Sequence, residues 1–188
     1  MEGDWSGASF LLVAGAITGS VTITGLNTAS AQADRAILKV LELVGASIEK
    51  ASDAICVARK DLRPFEFDAT DCPDLFPPLV ALASSCEGRS VIHGLERLTH
   101  KESDRACALV SEFSKLGIVV TTKANSMEVT GGNIREAVVD AHNDHRIAMA
   151  CAVAALRARG NSAINGEACV SKSYPDFFSD LETLREQR

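Results

Sequence analysis

The chain has 188 residues, of which 46% are hydrophobic and 23% charged, and a net charge of −6. That balance excludes a disordered chain and is ample for the core of one domain. It also excludes a general nucleic-acid binder, which would show a basic face, so an anionic ligand would need a local basic cluster. The six cysteines (Cys56, Cys72, Cys86, Cys107, Cys151, Cys169) form no C-x-x-C pair, and several lie inside apolar runs. They read as small buried hydrophobes of a reducing compartment, not a disulfide frame or a zinc site. No signal peptide is visible and no apolar run could span a bilayer, so a soluble, cytoplasmic protein is expected.

In chain order, residues 7–17 read as an apolar helix and 19–26 as an alternating strand. Residues 31–44 form an amphipathic helix stopped by Gly45. Residues 47–50 and 54–58 make a hairpin, and 65–68 a strand. The series then returns. Pro73 and Asp74 open a helix running to Ser85, with proline at the first helical position. A strand follows at 89–95, an amphipathic helix at 102–116 ending at Gly117, a hairpin at 118–122 and 126–130, and a strand at 137–140. A third pass gives a helix at 147–156 capped by Asn143 or Asp144, a strand at 161–167 and a helix at 175–184.

The period is countable. Asp34-Arg35 and Asp104-Arg105 are 70 residues apart, Gly45 and Gly117 are 72 apart, and Asp68 and Asp140 are 72 apart. The repeat is β-α-β-α-β-β, too long for a short solenoid unit. The first helix of each unit is apolar nearly all round and should be buried, whereas the second is charged on one face. The expected fold is therefore an inside-out α/β (α+β) domain, barrel-like, with pseudo-threefold symmetry and mixed sheets. The first unit lacks most of its opening strand and the third its closing hairpin. Closure would need about three more strands, so the chain is expected to be a piece of a larger protein.

The repeat should gather its helix-start residues in space. The buried helices offer Asp4 and Ser6, then Asp74, then His145 and Arg146. The other helices offer Lys101, Glu102 and Arg105, then Lys172. Cations are disfavoured at helix N-termini, so Lys101, Arg105, Arg146 and Lys172 together point to an anion site. Asp74 and Glu102 supply carboxylates for proton transfer. Plainer roles stay open: Asp74 as a first-turn acid, Glu102 in a capping box with Thr99, Lys172 solvated, His145 half in the core. Cys72 and Cys169 have no base pattern beside them. No phosphate-binding or dinucleotide-binding glycine loop is present.

Residues 2–9 (EGDWSGAS), 71–74 (DCPD), 100–105 (HKESDR), 143–150 (NDHRIAMA) and 172–176 (KSYPD) resemble, in order and across nearly the whole chain, the C-terminal half of the 5-enolpyruvylshikimate-3-phosphate synthase family. The related UDP-N-acetylglucosamine enolpyruvyl transferases share the fold but not the second and third of the longer motifs. The resemblance implies two inside-out domains of three units each. Residues 1–188 would be a single domain, the C-terminal one, lacking the N-terminal strands and the second domain. It implies transfer of the enolpyruvyl group of phosphoenolpyruvate to the 5-hydroxyl of shikimate 3-phosphate, with release of phosphate through a tetrahedral intermediate. No metal, cofactor, nucleic acid or membrane is implied, and the full-length protein would be a monomer.

By the same resemblance Asp74 would deprotonate the 5-hydroxyl, and Glu102 would move the proton at the methylene carbon. Lys101 would bridge the substrates. Arg105 and Arg146 would clamp phosphoenolpyruvate with His145 beside them, and Lys172 would neutralise the departing phosphate. Arg97 stands where some members carry an Asn that touches the shikimate phosphate, and Gly7 replaces a common Ser. The fragment alone is expected to be inactive, because the phosphoshikimate contacts of the other domain are absent. Two other readings remain: an enolpyruvyl transferase with another acceptor, and a non-catalytic anion-binding module with no use for Asp74 and Glu102 together.

Overall fold

Apolar residues without a polar face must be surrounded by protein, and this dictates the centre of the molecule. In a computed structural model describing residues 2–51, 53–98 and 101–186, three such helices lie side by side. They are α1 (Trp5–Thr18), α3 (Phe76–Ser84) and α5 (His145–Ala155). Every residue of α3 is buried, as are all of α1 from Gly7 to Ile17 and all of α5 from Ile147 to Ala154. Each large apolar side chain so buried contributes about 1.5–3 kcal/mol relative to exposure. Pro77 and Pro78 fit in α3 because they occupy its first turn, where the N–H groups lack intrahelical acceptors anyway.

Sheets wrap these helices, one per repeat. In the second unit β4 (Glu66–Asp68) pairs parallel with β5 (Gly88–His93), and β7 (Ser126–Gly131) then pairs antiparallel with both β5 and β6 (Val119–Lys123). The first unit keeps only the antiparallel part, β1 (Ser20–Thr24) on β3 (Ala54–Ala58) on β2 (Ser47–Lys50). The third keeps only the parallel part, β8 (Val138–Asp140) on β9 (Ala163–Asn165). Among the described residues, β1 and β9 therefore each have one open edge. The amphipathic helices α2 (Ile37–Val44), α4 (Arg105–Lys115) and α6 (Phe177–Glu186) lie outside this core. The inside-out, mixed-sheet α/β reading holds. Gly45 and Gly117, at φ of 90° and 83°, end α2 and α4 in the left-handed conformation that glycine adopts without strain.

Several helix boundaries differ from expectation, and each has a local cause. Ala31 and Gln32 precede the helix of the first unit, which opens as a 3-10 turn at Ala33–Ala36. The Gln32 N–H donates to Ser30 Oγ and its side chain accepts the Trp5 N–H, which holds the backbone extended. The helix of the second unit starts at Arg105, because Asp104 caps it by accepting the Cys107 N–H. Lys101 and Glu102 therefore precede the helix, Glu102 cannot complete a capping box, and Thr99 lies outside the described residues. Lys172 ends a 3-10 turn (Glu167–Lys172), and α6 begins only after Pro175. Of the four cations expected in first helical turns, only Arg105 and Arg146 are there.

Candidate functional site

The pseudo-threefold arrangement brings the N-terminal ends of α1, α3 and α5 to one end of the molecule. Asp4 caps α1 by accepting the Ser6 and Gly7 N–H groups. Asp144 caps α5 by accepting the Arg146 N–H at 3.0 Å. Asp74 lies in the 3-10 turn Pro73–Leu75 that leads into α3.

Asp74 is the hub. Its Oδ1 accepts from Lys101 Nζ at 3.2 Å and Arg105 Nη1 at 2.9 Å, and its Oδ2 pairs with Arg146 Nη2 at 3.1 Å. Arg105 is a second hub. Its Nη2 meets Glu102, and its Nε donates to Asp144 at 2.8 Å. The Arg105 and Asp144 side chains are 1% and 0% exposed, whereas Asp74, Lys101 and Glu102 are 30%, 27% and 47% exposed. The arrangement is thus a buried Arg105–Asp144 pair carrying a solvent-reachable layer of Asp74, Glu102, Lys101 and Arg146. Burying a guanidinium is tolerable only with such a set of carboxylate partners.

Lys172 reaches the same place from the 3-10 turn after β9, donating to Asn143 Oδ1 at 3.0 Å. His145 is half-buried. Burial first, and then the neighbouring Arg146, holds its ring below the ordinary histidine value, so it is neutral at pH 7. Burial pushes Asp74 up, but Arg146, Lys101 and Arg105 outweigh it and hold the carboxyl below its usual value. Asp74 is therefore fully ionised in the ligand-free site. Cys72 is buried and its thiol is pushed up to about 12, so it is no nucleophile.

The seven candidate catalytic and binding residues thus meet at one end: Asp74, Lys101, Glu102, Arg105 and Arg146 in direct ion pairs, Lys172 through Asn143 in the loop before α5, and His145 as the first residue of α5, next to Arg146. Arg105 was expected to hold an anionic ligand, yet in the ligand-free site it is buried with each of its three nitrogens on a carboxylate. Three further residues escaped sequence reasoning. Asp144 was read only as a cap. Ser103 donates to Asp144 at 3.0 Å. Asp34 is buried, accepts from Ser6 Oγ, and feels both Asp74 and Arg146; burial chiefly raises its carboxyl. The only available signal for Asp34 was its place in the Asp-Arg repeat. A cleft of about 590 Å³ opens at the other end of the helices, lined by Ile17, Arg59, Lys60, Ser85 and Glu87 among others. The C-terminal dipole ends of α1 and α3 face it, which disfavours anions there.

A surface of this kind suits a ligand with two or more negative groups. Arg146 and Lys101, both partly buried, and the exposed Lys172 supply donors, and Asp74 and Glu102 supply two carboxylates with different surroundings. Residues 1–181 match the family described as EPSP synthase (3-phosphoshikimate 1-carboxyvinyltransferase). A 3-phosphoshikimate 1-carboxyvinyltransferase of Thermococcus kodakarensis is 44% identical over 186 residues, covering 99% of this chain and 46% of that one. A protein of the same name from Clostridium acetobutylicum is 40% identical over 185 residues, covering 98% and 43%. Among solved structures, EPSP synthase from Acinetobacter baumannii superposes with a TM-score of 0.85 at 26% identity, over 97% of this chain and 46% of that one. The enolpyruvyl transferase NikO from Streptomyces tendae, at 21% identity and a TM-score of 0.73, shares the fold. This chain spans under half the length of the curated relatives it matches. With its motifs, its fold and its charged cluster in agreement, the chain belongs to the EPSP synthase family.

Proposed function

We propose that this chain forms the C-terminal half of an enzyme that transfers the enolpyruvyl group of phosphoenolpyruvate to the 5-hydroxyl of shikimate 3-phosphate, releasing phosphate. The observation that carries the reading is the position of Asp74. It is a carboxylate among Lys101, Arg105 and Arg146, with Glu102 on the far side of Arg105. In the empty site those cations make Asp74 a weak base. A bound phosphate and carboxylate would draw Arg146 and Lys101 toward themselves. Asp74 would then lose stabilising charge and its pKa would rise toward the working range, when the 5-hydroxyl is in reach.

The proton balance follows. The 5-oxygen attacks C2 of phosphoenolpyruvate as its proton passes to Asp74, and C3 gains a proton from Glu102, which must be protonated in the substrate complex and not the ionised partner of Arg105 that it is in the empty site. The tetrahedral intermediate then loses phosphate, which carries off the proton held by Asp74 and leaves as hydrogen phosphate, and Glu102 takes a proton back from C3. Lys172 and Arg146 stabilise the departing phosphate, and Lys101 spans both substrates. His145 stands beside Arg146 at the start of α5, a neighbour to the clamp.

The open edges of β1 and β9 support a second part of the reading. Each is a row of unpaired backbone groups, a usual place for another strand. Strands from the rest of the full-length polypeptide would pair there, and a second domain would supply the remaining contacts to the shikimate phosphate. The whole enzyme would act as a monomer in the cytoplasm. No helix among the described residues is long and apolar enough to cross a membrane.

The test is phosphate release by the full-length protein from phosphoenolpyruvate with either shikimate 3-phosphate or UDP-N-acetylglucosamine as acceptor. Release with the first alone, abolished in Glu102→Gln, is expected. Release with only the second would reassign the acceptor. Release with neither would favour an anion-binding module.

A further inference from the structure

Glu112 is a buried carboxylate far along α4 from the reacting cluster, and the proposed chemistry makes no use of it. It lies two helical turns beyond Arg105 and on the same inward face. Its Oε2 accepts the Asp140 N–H at 2.8 Å and Lys115 Nζ at 2.6 Å. Its Oε1 accepts from Ser111 Oγ at 3.0 Å and from His142 Nε2 at 2.8 Å. One carboxylate therefore grips both the last residue of β8 and the tip of the loop that follows it.

That loop needs holding. His142 and Asn143 both have positive φ, 50° and 54°, two consecutive non-glycine residues in the left-handed region. The loop's own bonds are short-range: Asp140 Oδ1 accepts the His142 N–H, and the Ala141 carbonyl accepts the Asp144 N–H. What comes next in the chain is Asn143, which orients Lys172, then Asp144, His145 and Arg146. So α4 fixes the loop twice, at its end through Arg105 on Asp144 and at its start through Glu112 on Asp140 and His142.

We propose that Glu112, acting through His142 and the Asp140 N–H, is a positioning residue that sets the left-handed turn from which Asn143, His145 and Arg146 are presented to the anionic substrate. Its catalytic consequence rests on the transferase reading above; the clamp itself does not. The elements it governs all lie on the phosphoenolpyruvate side of that reading. Asp74 and Glu102 come from other segments. Loss of the clamp should therefore be felt selectively.

The test uses the full-length protein with Glu112→Ala, Glu112→Gln and His142→Ala, reading KM for each substrate, kcat, and hydrogen exchange at the Asp140 amide. Misplacing binding groups by about an ångström costs up to roughly 100-fold. Glu112→Ala should raise KM for phosphoenolpyruvate roughly 10- to 100-fold and leave KM for shikimate 3-phosphate within about twofold. It should also release the Asp140 amide to exchange. Glu112→Gln should restore most of the KM. Its amide oxygen can still accept the Asp140 N–H, and its NH₂ can meet His142 in the other tautomer. His142→Ala, at a side chain 39% exposed, tests the same link without emptying the core and should show a smaller rise of the same selectivity.

A purely structural Glu112 would lower thermal stability while leaving both KM values alone, or raise them equally; either result overturns the proposal. Unchanged exchange at Asp140 in Glu112→Ala overturns the clamp. If the wild-type enzyme transfers nothing, the transferase reading fails, and the exchange measurement still decides the clamp.

Discussion

Replacing Asp144 by Asn asks what the buried pair at the base of the cluster is worth. The Asp144 carboxylate is fully buried. Its Oδ2 accepts from Arg105 Nε at 2.8 Å and Ser103 Oγ at 3.0 Å, and its Oδ1 caps α5 through the Arg146 N–H. Asparagine keeps the shape but only one acceptor. If its oxygen keeps the cap, its NH₂ faces the Arg105 Nε–H, donor against donor. If it flips, the cap is lost, at about 1 kcal/mol. Removing one partner from a buried ion pair costs about 3–5 kcal/mol when the survivor is left alone. Arg105 keeps Asp74 and Glu102, so the cost should fall lower, at about 2–3 kcal/mol. For a unit of this size each kcal/mol moves Tm by about 2–4 °C, and about half that for a full-length protein of roughly twice the length, so a drop of roughly 2–6 °C is expected in thermal denaturation of the full-length protein. The decisive comparison is the double-mutant cycle with Arg105→Met, which removes the cation and keeps the bulk. In that background Asp144→Asn should cost at least about 1.5 kcal/mol less than in the wild type. Equal costs in both backgrounds would mean that Asp144 is only a helix cap, and the buried-pair argument would be wrong.

Lys172→Ala should lower kcat/KM by roughly 100-fold through loss of charge at the phosphate that the proposed transfer releases, with melting unchanged, since the side chain is exposed and, among the described residues, hydrogen-bonds Asn143; steady-state kinetics and a thermal scan check both halves. Acid should unfold the protein through carboxylates whose folded values are depressed. Burial raises Glu112, but the bonds from Lys115, His142, the Asp140 N–H and Ser111 outweigh it and bring it from 4.5 to about 2, worth about 3 kcal/mol at neutral pH. That stabilisation, with a contribution of the same sign from Asp74, is complete above about pH 5 and lost as pH falls toward 2, while Asp34, raised by burial, works in the opposite sense. Urea titrations between pH 2 and 7 should therefore show a fall that is shallower in Glu112→Gln; an identical slope would refute the assignment. Gly131→Ala should be severely destabilising, because the new Cβ would lie 1.9 Å from the Cys86 carbonyl oxygen and 2.5 Å from that of Ala83. Gly160→Ala meets the Glu136 side chain, most closely its flexible carboxylate end and at 3.3 Å its Cβ, and should cost far less, so similar melting of the two variants would show that the backbone contact can relax.

Much of the fold was legible because its signals are local. A helix that is apolar all round has one destination, so α1, α3 and α5 could be placed inside before any contact was known. Gly45 and Gly117 are strong stop signals, and their 72-residue separation, the same as that of Asp68 and Asp140, exposed the repeat. The helix starts were harder, because competing side-chain bonds decide them. Gln32 serves α1 instead of extending its own helix. Glu102 is drawn to Arg105 and leaves the capping to Asp104. Thr-x-x-Glu is a sound capping signature only when the glutamate has nothing better to bind.

The burial of Arg105, which had been read as an anion ligand, had a signal that periodicity could have shown. Along α4 the inward positions are Arg105, Ala108, Leu109, Glu112 and Phe113. Two charged residues seven apart stand on the apolar stripe, a violation that is costly unless each finds buried partners. Nothing within α4 satisfies either one completely. Arg105 takes Asp74 and Glu102 from earlier in the chain, but a partner for each of the two comes from one segment about thirty to forty residues later, Asp140, His142 and Asp144, in the most polar stretch before an apolar helix. A charged pair on the core face of one helix and a charged turn in the next repeat are thus two halves of one observation. Together they imply that the turn docks on the helix. Which charge meets which atom, and that Arg105 spends its donors on carboxylates in the ligand-free site, depends on the angle between α4 and α5, which no local pattern encodes.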